Sequence, residues 1–221
     1  MFTDRKDAGK QLAKKLQRYQ DDYALVLAIP RGGVPVAYEI AKRISAELSL
    51  IIARKLPFPN NPEAGFGAIA EDGSTVILRS AVANLAAGMI ETIVEEQKEE
   101  IQRRIKILRG GRPFPKLTGK TVILVDDGIA MGSTMRASIK MCAKKGPANL
   151  VIASPVSSPE LARALQQKRV VNEVVILEQP KFFRTVAQVY EHWHDISDHE
   201  VLEVLHSWEK KPSRNHAYLK E

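Results

Sequence analysis

Residues Thr121 to Thr134 read TVILVDDGIAMGST. The apolar run Val122 to Val125 ends in two adjacent carboxylates, Asp126 and Asp127. A turn containing Gly128 and Gly132 follows, and Ser133 and Thr134 then open an amphipathic segment. The pattern predicts a buried parallel-type strand, a tight loop and a helix N-terminus. A helix start presents unpaired backbone N–H groups and a partial positive charge, so this loop is a predicted anion site. Two carboxylates cannot bind the same anion; they suit hydroxyls or a metal beside it. A ribose carrying a 5′-phosphate offers both kinds of group at once.

The flanking sequence places this stretch in an alternating pattern. Residues 24–29 (ALVLAI) form an apolar run that breaks at Pro30-Arg31-Gly32-Gly33, before a helical pattern over 34–46. A second run, Leu48 to Ala53, leads into Arg54-Lys55 and PFPNNPEAGFG. That segment holds three prolines, two asparagines and two glycines, and predicts a loop. Ala68–Ala70 and Thr75–Leu78 flank Glu71-Asp72-Gly73 as a hairpin. A charged helix is expected from about Met89 to Leu108, then strands at 121–126, 150–153 and 174–177, with helices between them. Continuous apolar strands alternating with helices predict an α/β fold, a parallel sheet flanked by helices. Ligands of such sheets lie beyond the carboxyl ends of the strands. Pro30–Gly33, Arg54–Lys55 and Asp126–Thr134 should therefore converge on one edge.

Here the residues resemble a known family. VILVDDGIAMGST is similar to the phosphoribosyl-pyrophosphate signature of type I phosphoribosyltransferases, and Pro30-Arg31-Gly32-Gly33 resembles their pyrophosphate loop. Similarity extends from about residue 3 to 206, and the branch it resembles most is one known only as predicted phosphoribosyltransferases. The resemblance implies one domain over 1–221, with a core at about 20–178. A small terminal hood lobe, from about 179–221, would join the N-terminal helix. It further implies that Asp126 and Asp127 accept hydrogen bonds from the ribose hydroxyls, directly or through magnesium-bound water. The loop Gly128, Ala130, Met131, Gly132, Ser133 and Thr134 would hold the 5′-phosphate. Gly32 and Gly33 would let the backbone approach the pyrophosphate, with Arg31, Arg54 and Lys55 stabilising the leaving charge. A cis Pro30–Arg31 bond is expected. Mg2+ would bind mainly through substrate oxygens and water.

Two departures qualify the match. Ala130 stands where hypoxanthine–guanine enzymes carry a catalytic Asp, as it does in adenine-type enzymes. In the latter a mobile loop resembling RKLP is followed by a motif containing a glutamate, which makes Glu71 the counterpart for proton transfer. An ordinary hairpin-turn acid is the other reading of Glu71. Met131 replaces the usual Thr and removes one phosphate contact, worth about 1–3 kcal/mol.

The implied reaction displaces pyrophosphate from C1 of phosphoribosyl pyrophosphate by a nucleobase-like nitrogen acceptor. The rival is a regulator that keeps the fold, senses phosphoribosyl pyrophosphate and binds nucleic acid. A net charge of +7 keeps that rival open. Against it, basic pairs such as Lys14/Lys15, Arg103/Arg104, Lys144/Lys145 and Lys210/Lys211 are dispersed, with no aromatic-interleaved cluster. Arg103 and Arg104 read as a solvated helix face paired with Glu99 and Glu100. His192 and His194 share a strand-like spacing but have no evident third ligand. The lone Cys142 excludes an internal disulfide and reads as a packed thiol. The chain has no apolar run of membrane-span length and no signal-peptide core, so a cytoplasmic protein is expected, with a homodimer as a family-level expectation. Neither G-x-x-x-x-G-K-[ST] nor G-x-G-x-x-G after the first strand is present.

Overall fold

A computed structural model describes residues 1–20, 23–78, 81–83 and 85–210. The tail 211–221, with Lys211, lies outside the described residues. Five strands form a parallel sheet: β1 (Ala24–Ala28), β2 (Glu47–Leu50), β6 (Thr121–Val125), β7 (Asn149–Val156) and β8 (Glu173–Glu178). Their order across the sheet is β2-β1-β6-β7-β8. Every residue of β1 and β6 is buried, as strands covered on both faces require.

Alternate residues serve opposite layers. Val26, Ala28, Ile123 and Val125 pack with Leu12, Leu16, Val36 and Ile40, from α1 (Arg5–Lys15), the residue after it and α2 (Gly33–Ile44). Val201 of α6 (Asp198–Glu209) and Ile101 of α3 (Ala87–Arg109) join that layer. Leu25, Leu27, Val122 and Leu124 face the other way, against Met135, Ile139 and Met141 of α4 (Ser133–Lys144). Leu161 and Leu165 of α5 (Pro159–Gln166) complete that side. Cys142 lies within it, and burial pushes its thiol up to about 12, an inert packed group.

The chain leaves β1 through α2 to reach β2 on one side, while β6, β7 and β8 follow on the other. The order of connection therefore switches between β1 and β6, and a crevice opens at such a point. The loops after those two strands hold both sequence motifs.

The segment PFPNNPEAGFG is not a loop. It forms most of a long antiparallel hairpin, β3 (Ala53–Phe58) with β4 (Asn61–Ala70), which β5 (Thr75–Ile77) extends to a second, three-stranded sheet. Pro57 is tolerated because β3 is an edge strand whose register slips on both sides of it, Pro59 lies in the turn, and Pro62 lies at the start of β4, before the stretch that pairs with β5. The apolar run 48–53 is accordingly split between the two sheets, β2 ending at Leu50 and β3 starting at Ala53.

Glu71 sits at the far turn of this hairpin and is buried in an ion pair with Arg109 of α3. Its Oε1 also accepts from the Ile52 N–H (2.9 Å) and from Arg109 Nη1 (3.0 Å). Both carboxylate oxygens are thus engaged in fastening β3–β5 to α3, the part of a hairpin-turn acid. Removing one partner of a buried pair leaves the other charge uncompensated. Arg109→Ala is therefore expected to lower stability by about 3–5 kcal/mol in urea unfolding.

Candidate active site at the ends of β1 and β6

Ala28 pairs with Val125, so the two strands end level. The Ile29 N–H donates to the Val125 carbonyl at 2.8 Å. After β1 the chain turns through Pro30–Arg31, and that peptide bond is cis. A Cβ on Gly33 would lie 2.7 Å from the Val125 carbonyl oxygen and 3.0 Å from the Asp126 Cα. A Cβ on Gly32 would lie 1.9 Å from Oδ2 of Asp127. Only glycines let this loop press against the acid pair.

Beyond β6, Asp126 and Asp127 differ sharply in environment. The Asp127 carboxylate is bound by Arg5 at the start of α1, whose Nε donates to Oδ2 at 2.7 Å. Arg5 is itself buried; its Nη1 donates to the His194 carbonyl (2.9 Å), and its guanidinium lies 3.9 Å from the centre of the Trp193 ring. Tyr190 donates its hydroxyl to the Asp127 carbonyl oxygen at 2.7 Å. Burial and the Asp127 charge raise the pKa of that hydroxyl, so it stays a donor. The N-terminus and residues 189–192 are stitched together by Phe2 N–H to Val189 (2.7 Å), Glu191 N–H to Phe2 (2.8 Å) and His192 N–H to Thr3 (2.9 Å).

Asp126 has no such cation. Its Oδ1 accepts the Asp127 N–H at 2.9 Å. Its carboxyl is held well above the usual carboxylate range by burial and by the neighbouring Asp127 charge, with the Asp127 N–H and Arg5 pulling the other way. Two adjacent acids thus have separate environments, one neutralised by Arg5 and the other bound by the Asp127 N–H.

Gly132 takes a left-handed conformation (φ +74°) and starts α4 without a side-chain cap. The first-turn N–H groups, from Ser133 onward, are therefore open to an anion. Gly128 is pressed against Val186, and Gly132 against Leu161. Ala130 and Met131 are exposed at the loop tip, Ser133 is buried behind them and Thr134 is half-buried.

Arg54 and Lys55 part company, as neighbours on a strand must. Arg54 turns to α3 and donates to Gln97 Oε1 at 3.2 Å. Lys55 lies over Gly65. His192 and His194 are exposed, and His194 pairs with Glu200 at 2.8 Å. Among the described residues no group of three or more His, Cys, Asp or Glu is arranged to hold a metal ion. Asp126 with an Arg5-bound neighbour is no cage; such a donor set suits a hard divalent ion that keeps its water and arrives on substrate oxygens.

A family model, the phosphoribosyl transferase domain, matches residues 2–190. The chain belongs to that family. A protein of Mycobacterium tuberculosis strain H37Rv, provisionally named a phosphoribosyl transferase, is 39% identical over 207 residues, 93% of this chain and 46% of that protein. Its counterpart in strain CDC 1551 matches to the same extent. The chain thus spans about half the length of the curated relatives it matches. The crystal structure of TT1426 from Thermus thermophilus is 35% identical, with a TM-score of 0.77, covering 94% of this chain and 99% of that one. Among the described residues, no helix of this phosphoribosyl transferase domain is long and apolar enough to cross a membrane.

Sequence reading missed Arg5 and Tyr190 as part of the site, and no local signal marks them; Trp193, readable as a core aromatic or a base-pocket residue, covers the Arg5 guanidinium. Sequence reading also placed Arg103 and Arg104 on a solvated face. Arg104 is buried, and Arg103 lies 3.8 Å from Asp198 at the start of α6.

The raised pKa of Asp126 makes a signed prediction. The unfolded chain gives up this proton at lower pH than the folded one, so the folded state binds more protons in the window above the usual carboxylate range. Stability contributed by this group falls as pH rises through that window. Asp126→Asn removes the penalty. The variant is expected to melt above wild type at neutral and alkaline pH, with the gap closing towards acid pH, in thermal denaturation across a pH series.

Proposed function

We propose that this domain transfers the ribose 5-phosphate group of phosphoribosyl pyrophosphate to a nucleobase-like nitrogen acceptor. The acceptor nitrogen forms a bond to C1 while the C1–oxygen bond to pyrophosphate breaks and pyrophosphate departs. The observation that carries this reading is the pairing of an uncapped helix N-terminus with a poised acid at one strand end. The glycine-lined Arg31 loop faces them from the neighbouring strand.

Each part has a chemical task. The α4 N-terminus, with Ser133 and Thr134, holds the 5′-phosphate by charge-assisted hydrogen bonds. Asp126, once ionised, accepts from the ribose hydroxyls and favours the positive charge that develops on the ring. Asp127, bound by Arg5, fixes the loop and Gly32 rather than receiving substrate with both oxygens. Gly32 and Gly33 allow the pyrophosphate to approach the backbone, and Arg31 adds charge to the departing group. Magnesium, carried on the substrate's diphosphate and ribose oxygens beside Asp126, would neutralise the leaving charge. Glu71 has no part in this scheme, and Lys55 points away from Arg54.

The test is calorimetric titration of phosphoribosyl pyrophosphate, with magnesium, into wild type and Asp126→Asn. Hydrogen bonds to a charged group contribute about 1.5–3 kcal/mol, so binding about 10- to 100-fold weaker is expected in the variant. Pyrophosphate release on addition of a nucleobase panel then reports turnover and names the acceptor. Absence of binding by wild type would sink the assignment. Equal binding by both proteins would remove Asp126 from it.

A further inference from the structure

The amino ends of the strands, opposite the acid pair, hold a second opening. The segment that leads from α3 into β6 and the end of α4 enclose a groove of about 550 Å³. Phe114, Pro115 and Leu117 supply an apolar wall, Lys116, Lys144 and Lys145 surround it, and none of the lining residues is acidic. Backbone pairing fixes its floor. Thr118 and Pro147 form an antiparallel bridge, and the Ala148 N–H donates to the Lys120 carbonyl at 3.0 Å. The Thr118 hydroxyl donates to the Lys145 carbonyl at 3.4 Å.

The three cations are not equivalent. Lys144 is engaged by Asp72 of the hairpin turn at 3.2 Å. Lys145 is half-buried, and its Nζ lies 5.2 Å from the centre of the Phe114 ring. The Arg109 guanidinium, buried against Glu71, lies 5.7 Å from the same ring. Lys116 is exposed, and among the described residues neither Lys116 nor Lys145 is in an ion pair. Lysines at a helix end ordinarily answer its carbonyl dipoles, which accounts for Lys144 and Lys145. Lys116 stands on the facing segment, outside the helix, and that account does not reach it.

We propose that this groove is a second binding site, for a nucleoside phosphate, whose phosphate is held by Lys116 and Lys145 and whose base lies on the Phe114–Pro115 wall. A lysine ammonium is a compact point charge that binds phosphate without demanding a fixed geometry. Inorganic phosphate alone would leave the apolar wall uncovered, and a cavity of this size is that of a small-molecule site. A nucleic-acid strand calls for a continuous basic track with several stacking rings. One ring beside one group of lysines suits a single nucleotide. The helix α4 has twelve residues, so its two ends stand about 18 Å apart. The groove is therefore separate from the phosphate loop at Gly132, Ser133 and Thr134, and it does not depend on the transferase reading. Its walls are nonetheless the lead into β6 and the foot of α4, whose far ends carry the acid pair and that loop.

The deciding experiment follows the backbone amide NMR signals of the isotope-labelled full chain. Adenosine monophosphate, uridine monophosphate, inorganic phosphate and a short single-stranded RNA are titrated separately into wild type, Lys116→Gln and Lys145→Gln. Lys116 is exposed, so its replacement should fold, and circular dichroism melting verifies both variants. Wild type should show saturable shifts at Lys116, Leu117, Lys145 and Gly146 with at least one of the two nucleotides. Each variant should bind that nucleotide about tenfold more weakly in the groove, with the signals of Gly132, Ser133 and Thr134 responding as in wild type. Inorganic phosphate should bind the groove more weakly than the nucleotide does. No saturable shift at the groove amides, or groove affinities within about twofold of wild type in both variants, would overturn the proposal. So would inorganic phosphate binding as tightly as the nucleotide, or RNA binding far more tightly than either. Shifts confined to Gly132, Ser133 and Thr134 would remove this site and leave the transferase reading standing.

Discussion

Ala28 stands in register with Val125, and the Ile29 N–H closes onto the Val125 carbonyl at 2.8 Å. Because β1 and β6 end at the same height, the loops that follow them are forced into contact. There is no room between them for side chains: the backbone of Gly33 lies against Val125 and Asp126, and that of Gly32 against the Asp127 carboxylate. This contact is an outcome of parallel pairing at a switch in strand order, where the flanking helices leave in different directions and a crevice must open. A slip of one residue in the β1–β6 register would turn Val26 and Ile123 to the wrong layers and carry both loops out of reach of one another.

Adjacent acids at such a spot would repel if treated alike, and the fold treats them differently. Arg5 binds Asp127 from 122 residues away in sequence, with its guanidinium covered by the Trp193 ring and its Nη1 tied to His194. The N-terminal segment is held to residues 189–192 by backbone bonds, so the arginine arrives on a fixed scaffold. One carboxylate is therefore permanently paired. The other keeps a high proton affinity because burial and its partner's charge both oppose ionisation. Different environments thus give two neighbouring acids of one short motif different proton affinities.

What was legible in the sequence was contiguous. The strand, acid pair, turn and helix start of 121–134 lie within one stretch, so apolar run length and helix-start chemistry sufficed to read them. The same is true of Pro30–Gly33 and of the closing helix at Ser197, where a capping box with Glu200 forms. What failed was long-range. Pro57, Pro59 and Pro62 argue for a loop by local rules, yet an edge strand with a shifted register accommodates Pro57, the turn takes Pro59, and Pro62 precedes the part of β4 that pairs with β5. Glu71 looked like a turn acid or a proton carrier, because Arg109, 38 residues on, leaves no mark near it. Arg103 and Arg104 present a self-sufficient i+3 and i+4 pattern with Glu100, which hides the fact that α3 lays that face against β3 and α6.

Charge is therefore laid out along this edge by sign. The acids stand at the end of β6, and Arg31, with Arg54 and Arg103 close to it, stands past the end of β1. Dispersed through the sequence, these basic residues look like a general surplus of +7. Folded, part of that surplus is gathered around α3, where Arg104 is buried and Arg54 is half-buried. Neither half is a stability device, since a carboxyl resisting ionisation and guanidiniums crowded against one another both oppose folding. Such local penalties persist where a ligand of the opposite pattern relieves them. A sugar bearing hydroxyls at one end and a diphosphate at the other is a ligand of that pattern.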